Sequence, residues 1–155
     1  WLRHFKGLTG LKDVTPHRKI VVLRPGAKTR RIKNSDELLL ALKGWETVDL
    51  AKMTIRKQMK TFAEATHIVA AHGAGLVNLL WCRDGTKVVE IQDKNMIHKK
   101  VYPILSHHLG LKHKLYLADT VPIALENNKK PKGIKRLTDL IDFKVNIADL
   151  MKHID

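Results

Sequence analysis

The stretch Ala70-Ala71-His72-Gly73-Ala74-Gly75-Leu76 sets two glycines between two apolar runs. Glycines at these positions permit a sharp turn and let a ligand approach the backbone amides closely. A helix opening at Leu76 would aim its free N–H groups and the positive end of its dipole at that turn, which suits phosphate. A strand-to-helix turn also needs glycine for packing alone, so both roles stay open. His72 is the histidine inside the motif. It either bonds a phosphate or sugar oxygen or holds the loop through a backbone contact.

Arg24, Arg30 and Arg31 form a second constellation. A guanidinium binds phosphate oxygens two at a time, and the same three residues would also make a solvated basic loop. Glu90 is the third candidate, set among Val88, Val89 and Ile91. A carboxylate inside an apolar strand is costly without partners. The partners are either a pair of ribose hydroxyls at a sheet's carboxyl edge or a nearby Lys or Arg. The other histidines show no metal spacing, and His107 and His108 face different sides of a helix. Cys82 is the single cysteine, which excludes an internal disulfide and a thiolate zinc site; it reads as a small core residue. The P-loop, the Gly-x-Ser-x-Gly elbow and the dinucleotide fingerprint are all absent.

These groups need elements to hold them. Residues 19–23, 46–50, 67–71, 87–91 and 114–117 read as short buried strands. Between them fall helices. One opens at Asn34, where Glu37 completes a capping-box pattern, and buries Leu38, Leu39 and Leu42. The next spans 54–65, with Ile55, Met59, Phe62 and Ala63 on one face. Others span 76–81, 101–109 and 146–154, the last with Ile147, Leu150 and Met151 inward. Residues 1–12 carry a weaker helical pattern, and 120–136 read as a loop. Strands alternating with helices predict a parallel sheet covered on both faces, a Rossmann-like three-layer αβα sandwich. A strand order of 2-1-3-4-5 would put the basic loop and the glycine loop on either side of one crevice.

The chain has 155 residues, 29 Lys+Arg against 15 Asp+Glu and a net charge of +14, which fits one domain with an anionic partner. That partner is a phosphorylated small molecule, a nucleic acid or a membrane surface. The lysines at 129, 130, 132 and 135 read as a solvated face. Aromatic residues make up only 5%, which weakens a base-stacking role. No apolar run approaches the roughly 20 residues that span a bilayer, and no signal-peptide core opens the chain. Trp1 at the start reads as a chain cut from something longer. The lone cysteine and the lack of an Asn-x-Ser/Thr sequon give no support to a secretory lumen, so cytoplasm is the default expectation.

Taken in order, Arg24, Arg30-Arg31-Ile32-Lys33-Asn34, Glu37-Leu38, Gln58, the run from Ala70 through Leu80 and Val88-Val89-Glu90-Ile91 resemble glycosyltransferase family 61. The likeness extends to Tyr102, Gly110-Leu111 and residues 144–150. Lys57 departs from the acidic residue usual before Gln58, and Ala71 from the Gly or Pro frequent before the histidine. The resemblance implies a two-lobed GT-B transferase, with residues 1–155 as its C-terminal nucleotide-sugar-binding lobe beside an N-terminal lobe of the same polypeptide. It also implies inverting transfer from UDP-xylose, UDP-N-acetylglucosamine or UDP-arabinose to a glycan or glycoprotein acceptor. Arg24, Arg30, Arg31, His72, Gly73, Ala74, Gly75 and Leu76 would then hold the nucleotide diphosphate, and Glu90 the ribose. No Asp-x-Asp motif is present, so no metal or other cofactor is expected; arginines and amide dipoles would stabilise the leaving diphosphate. The catalytic base is expected from the N-terminal lobe, with His72, then Asp93, the candidates within this chain. A basic nucleic-acid-binding module is the alternative, and a nucleotide-binding, lectin-like remnant that transfers nothing is a third.

Overall fold

The β-branched run Ile20-Val21-Val22 has no polar face to offer water, and all three side chains are buried in the computed structural model. The structure describes residues 10–11, 13–94, 100–124 and 140–154. Its strands are β1 (Arg18–Leu23), β2 (Glu46–Asp49), β3 (Ala65–Ala71), β4 (Lys87–Asp93), β5 (Lys112–Pro122) and β6 (Ile141–Lys144). They form one sheet in the order β2-β1-β3-β4-β5-β6. The pairs from β2 to β5 are parallel, and β6 runs antiparallel to β5. The helices are α1 (Ser35–Ala41), α2 (Ile55–Ala63), α3 (Val101–His108) and α4 (Ile147–Ile154), with 3-10 turns at Leu50–Lys52 and Ala74–Trp81.

Side chains alternate across a strand, so each strand feeds two cores. Val21, Val69, Val89 and Ile91 face Leu38 of α1, Leu42 just beyond its end, and Leu150 and Ile154 of α4. Ile20, Val22, Ile68, Ala70 and Val88 face Phe62 of α2, Leu76 and Leu79 of the second 3-10 segment and Tyr102 of α3. The expected α/β class, the mostly parallel sheet and the order of its first five strands are therefore present. No helix among the described residues is long and apolar enough to cross a membrane.

Several local expectations change. The helix expected at residues 76–81 is a 3-10 segment that starts two residues earlier. Ile55 opens α2 and is 75% exposed, because the buried face of that helix is carried by Thr61, Phe62 and Ala63 at its other end. Residues 120–122 continue β5 rather than opening a loop. The lysines at 129–135 lie outside the described residues, as does most of the helix expected over 1–12.

The largest change concerns the segment after β1. Residues 30–34 are not a free basic loop; they run beside β6. Arg30 N–H donates to the Ile141 carbonyl at 2.6 Å, Phe143 N–H to Arg31 at 2.8 Å and Lys33 N–H to Phe143 at 2.8 Å. Ile32 and Phe143 form a parallel bridge. The sheet thus curls until β6 meets the segment that leaves β1. Asn34 closes this ladder rather than capping α1: its Oδ1 accepts from Val145 N–H at 3.0 Å, and its Nδ2 donates to the Val145 carbonyl at 2.8 Å. The buried end of a strand has backbone groups to satisfy, and they take the side chain that would otherwise cap the helix.

Candidate functional site

β1 and β3 are neighbours whose continuations run to opposite sides of the sheet, β1 to β2 and β3 to β4. Their carboxyl ends mark the place where open α/β sheets present a crevice. A cavity of about 270 Å³ lies there, walled mainly by apolar groups including Val22, Leu50, Phe62, Ala70 and Leu76, with Arg24 and Gly75 at its lining.

Arg24 leaves β1 into this region, and its Nη1 is buried without a hydrogen-bond partner among the described residues. Gly73 sits against it: a Cβ there would stand 3.0 Å from Arg24 Nη1. The backbone of Gly73 is extended, so its need for glycine comes from the guanidinium, not from the turn. Burial, then the neighbouring Arg30 charge, lowers the Arg24 pKa from its ordinary value. Arg30 takes a left-handed backbone, φ +58°, and its Nη1 donates to the His72 carbonyl at 3.3 Å. Neither arginine forms an ion pair among the described residues, so two guanidiniums stand together without a carboxylate. The N–H groups of Gly73, Ala74 and Gly75 open a 3-10 segment and have no partner within it.

Arg31 is placed otherwise. Its Nε and Nη2 engage Asp142 Oδ2 at 3.0 and 2.7 Å, and its backbone N–H donates to Oδ1 at 2.9 Å. Asp142 is only 2% exposed, and a buried carboxylate without such a fork would be strongly unfavourable. That hydrogen-bonded pair raises the Arg31 pKa. Arg31, expected at the diphosphate, is thus paired with a buried carboxylate and ties the segment after β1 to β6.

His72 is buried beside this pair, with its Nδ1 bonded to Glu90 Oε1 and the Gln92 amide 3.3 Å away. His113 Nε2 donates to Glu90 Oε2 at 3.0 Å, and Ser106 Oγ lies 2.7 Å from His113 Nδ1. Tyr102 packs its ring edge-to-face on His72, with centroids 5.4 Å apart. Burial pushes the Glu90 carboxyl up, but the hydrogen bonds from His113 and His72 more than offset it, so the group lies below the usual carboxylate range. Glu90 is expected to meet ribose hydroxyls; instead it is fully enclosed, with both oxygens engaged by histidines. Its two oxygens stand against His72 and His113. Tyr102 lies in the field of the whole group: burial and Glu90 raise its pKa, while Arg30 and Arg24 act the other way.

A second network shapes the cavity. A Cβ at Gly75 would stand 2.8 Å from Leu50 Cδ1, so glycine lets the Leu50–Lys52 turn close on the loop. Asn78 Nδ2 donates to Gln58 Oε1 at 3.0 Å and to the Gly75 carbonyl at 3.1 Å. Gln58 Nε2 donates onward to the Leu50 carbonyl at 3.0 Å. Leu76 is buried in the cavity wall, while Ala74 is exposed at the loop's outer edge. His113 and Ser106 carry no motif signal. His113 lies opposite Val88, on the face that Glu90 shares two residues later, and only the pairing of β4 with β5 brings it there.

The Glycosyltransferase 61 family matches residues 2–89. The chain is also similar to beta-1,2-xylosyltransferase RCN11 of Oryza sativa subsp. japonica, 29% identical over 98 residues that make up 57% of this chain and 18% of that protein. The chain therefore spans less than a fifth of that relative's length. The family match runs over more than half of the chain and through both the arginine segment and the His72–Gly75 loop, and the chain belongs to glycosyltransferase family 61.

Proposed function

We propose that the chain is the donor-binding lobe of an inverting GT-B glycosyltransferase, with a UDP-sugar as its donor. The observation that carries this is the buried, unpartnered Nη1 of Arg24 lying over Gly73. The diphosphate lies between the Arg24 and Arg30 guanidiniums and the amides of residues 73–75, and the nucleoside enters the apolar cavity. Family membership supports transfer chemistry, and the name of the rice relative supports xylose as the first sugar to test. An acceptor hydroxyl attacks the anomeric carbon from the face opposite the diphosphate. The carbon–oxygen bond to phosphate breaks, and its electron pair leaves on the phosphate oxygen. Two fixed guanidiniums and three amides stabilise that charge without a divalent metal. The acceptor proton passes to a base from an N-terminal lobe of the same polypeptide.

The test is calorimetric titration of the chain with UDP, with and without EDTA. One-to-one, uracil-selective binding that EDTA leaves unchanged is expected. Arg24→Ala should weaken it by about 1.5–3 kcal/mol, the range of a hydrogen bond to a charged group. Unchanged affinity in Arg24→Ala overturns the assignment, as does loss in EDTA with recovery on Mn²⁺. Length-dependent oligonucleotide binding that collapses with salt would point to a nucleic-acid module instead.

A further inference from the structure

We propose that Glu90 and His113 are positioning residues for His72, and that diphosphate binding beside Arg24 and Arg30 draws a proton onto His72 Nε2. The proposal rests on the donor-site assignment above. One edge of the ring is fixed: Nδ1 meets Glu90 Oε1, and an ionised carboxylate only accepts, so Nδ1 carries hydrogen, and the Gln92 Nε2 3.3 Å away is a contact and not a donor to this atom. No protein group among the described residues bonds Nε2. In the proposed complex a phosphate oxygen stands beside that atom; in the neutral ring the atom is a lone pair, which repels such an oxygen. With a proton it becomes a donor, and the imidazolium has a carboxylate directly behind it, as in a Ser-His-Asp triad.

Glu90 can fill that role because it is kept ionised in a fully buried place. His113 donates to its second oxygen, and Ser106 fixes the far nitrogen of His113. A buried carboxylate left alone would take a proton itself. The titratable and charged groups around His72 come from every element packed on it. Glu90 stands on β4, His113 behind it on β5 and Tyr102 on α3, while Arg30 holds the His72 carbonyl and Arg24 lies alongside Arg30. Two unneutralised guanidiniums oppose a third cation until an anion arrives among them. The proposed proton uptake therefore accompanies binding.

The experiment titrates the chain with UDP-xylose between about pH 6.5 and 8, the range in which histidine is the group that switches. The esterified diphosphate of this probe releases no proton there. Repeating the titration in buffers of different ionisation enthalpy counts the protons taken up. Uptake approaching one proton at the alkaline end is expected, with affinity falling toward about tenfold per pH unit there. His72→Gln should bind with no uptake, and Glu90→Gln and His113→Gln should lower it. Ring-nitrogen NMR of the wild-type chain should show Nδ1 protonated at high pH; this needs no variant and decides the matter where Glu90→Gln fails to fold. Binding without buffer dependence, uptake that survives His72→Gln, or the opposite tautomer would each overturn the proposal and leave the donor site standing. Absence of binding by UDP-xylose and UDP alike overturns both.

Discussion

Arg24 and Arg31 sit seven positions apart in one basic segment, and their surroundings differ: Arg31 pairs with a buried carboxylate, while Arg24 Nη1 has no partner among the described residues. Arg31→Ala would strand a buried Asp142. The loss should be about 1–3 kcal/mol, less than for a fully enclosed pair because the Arg31 side chain is 39% exposed. Scanning calorimetry checks this, and Arg24→Ala in the same experiment should melt close to wild type. An equal fall in both variants would mean that Arg24 also holds the fold. The sequence shows three arginines of one kind because the residue that separates them, Asp142, lies 111 positions away from Arg31. Glu90 follows the same logic. Its need for partners is legible from its apolar neighbours, but their identity depends on strand pairing, which places His113 on the same face.

At the scale of elements, short apolar runs between turn and helix signals made five strands legible. β6 escaped notice. It has four residues, Ile141–Lys144, and its strand character comes from partners on both sides, not from its own pattern. Asn34 illustrates the cost of reading locally, since its capping-box spacing is real and its side chain serves Val145. Asn34→Ala should cost about 1–3 kcal/mol through two unsatisfied backbone groups, measurable as a lowered urea midpoint. The glycine loop was legible as a tight turn, but the reason for each glycine was not. Gly73→Ala would push on the flexible end of Arg24, so it should weaken UDP binding with little change in melting temperature. A large loss of stability with intact binding would assign Gly73 to packing.

For the molecule as a whole, pH acts through groups that the fold has shifted. Glu90 has its carboxyl lowered from 4.5 in the folded chain, so the unfolded chain binds protons more readily there. Its contribution is fully present above that value and is lost as pH falls through the lower, folded one. Tyr102 and Tyr116 are raised from 10.0, chiefly by burial, so stability declines as pH rises beyond that value. Urea unfolding across the pH range should therefore fall off at both ends, and Tyr116→Phe should flatten the alkaline limb; an unchanged limb would remove Tyr116 from this role. The ladder between residues 30–34 and 141–145 has a temporal meaning as well. A chain emerging from the ribosome exposes β1, the arginines and the glycine loop early, yet Arg30 and Asn34 cannot settle until the last strand is made. Closing so long a loop is slow compared with pairing neighbouring strands. The contact proposed for Arg30 should accordingly be among the last features to form during synthesis. A chain stopped after residue 139 should carry every proposed diphosphate contact and still fail to bind UDP.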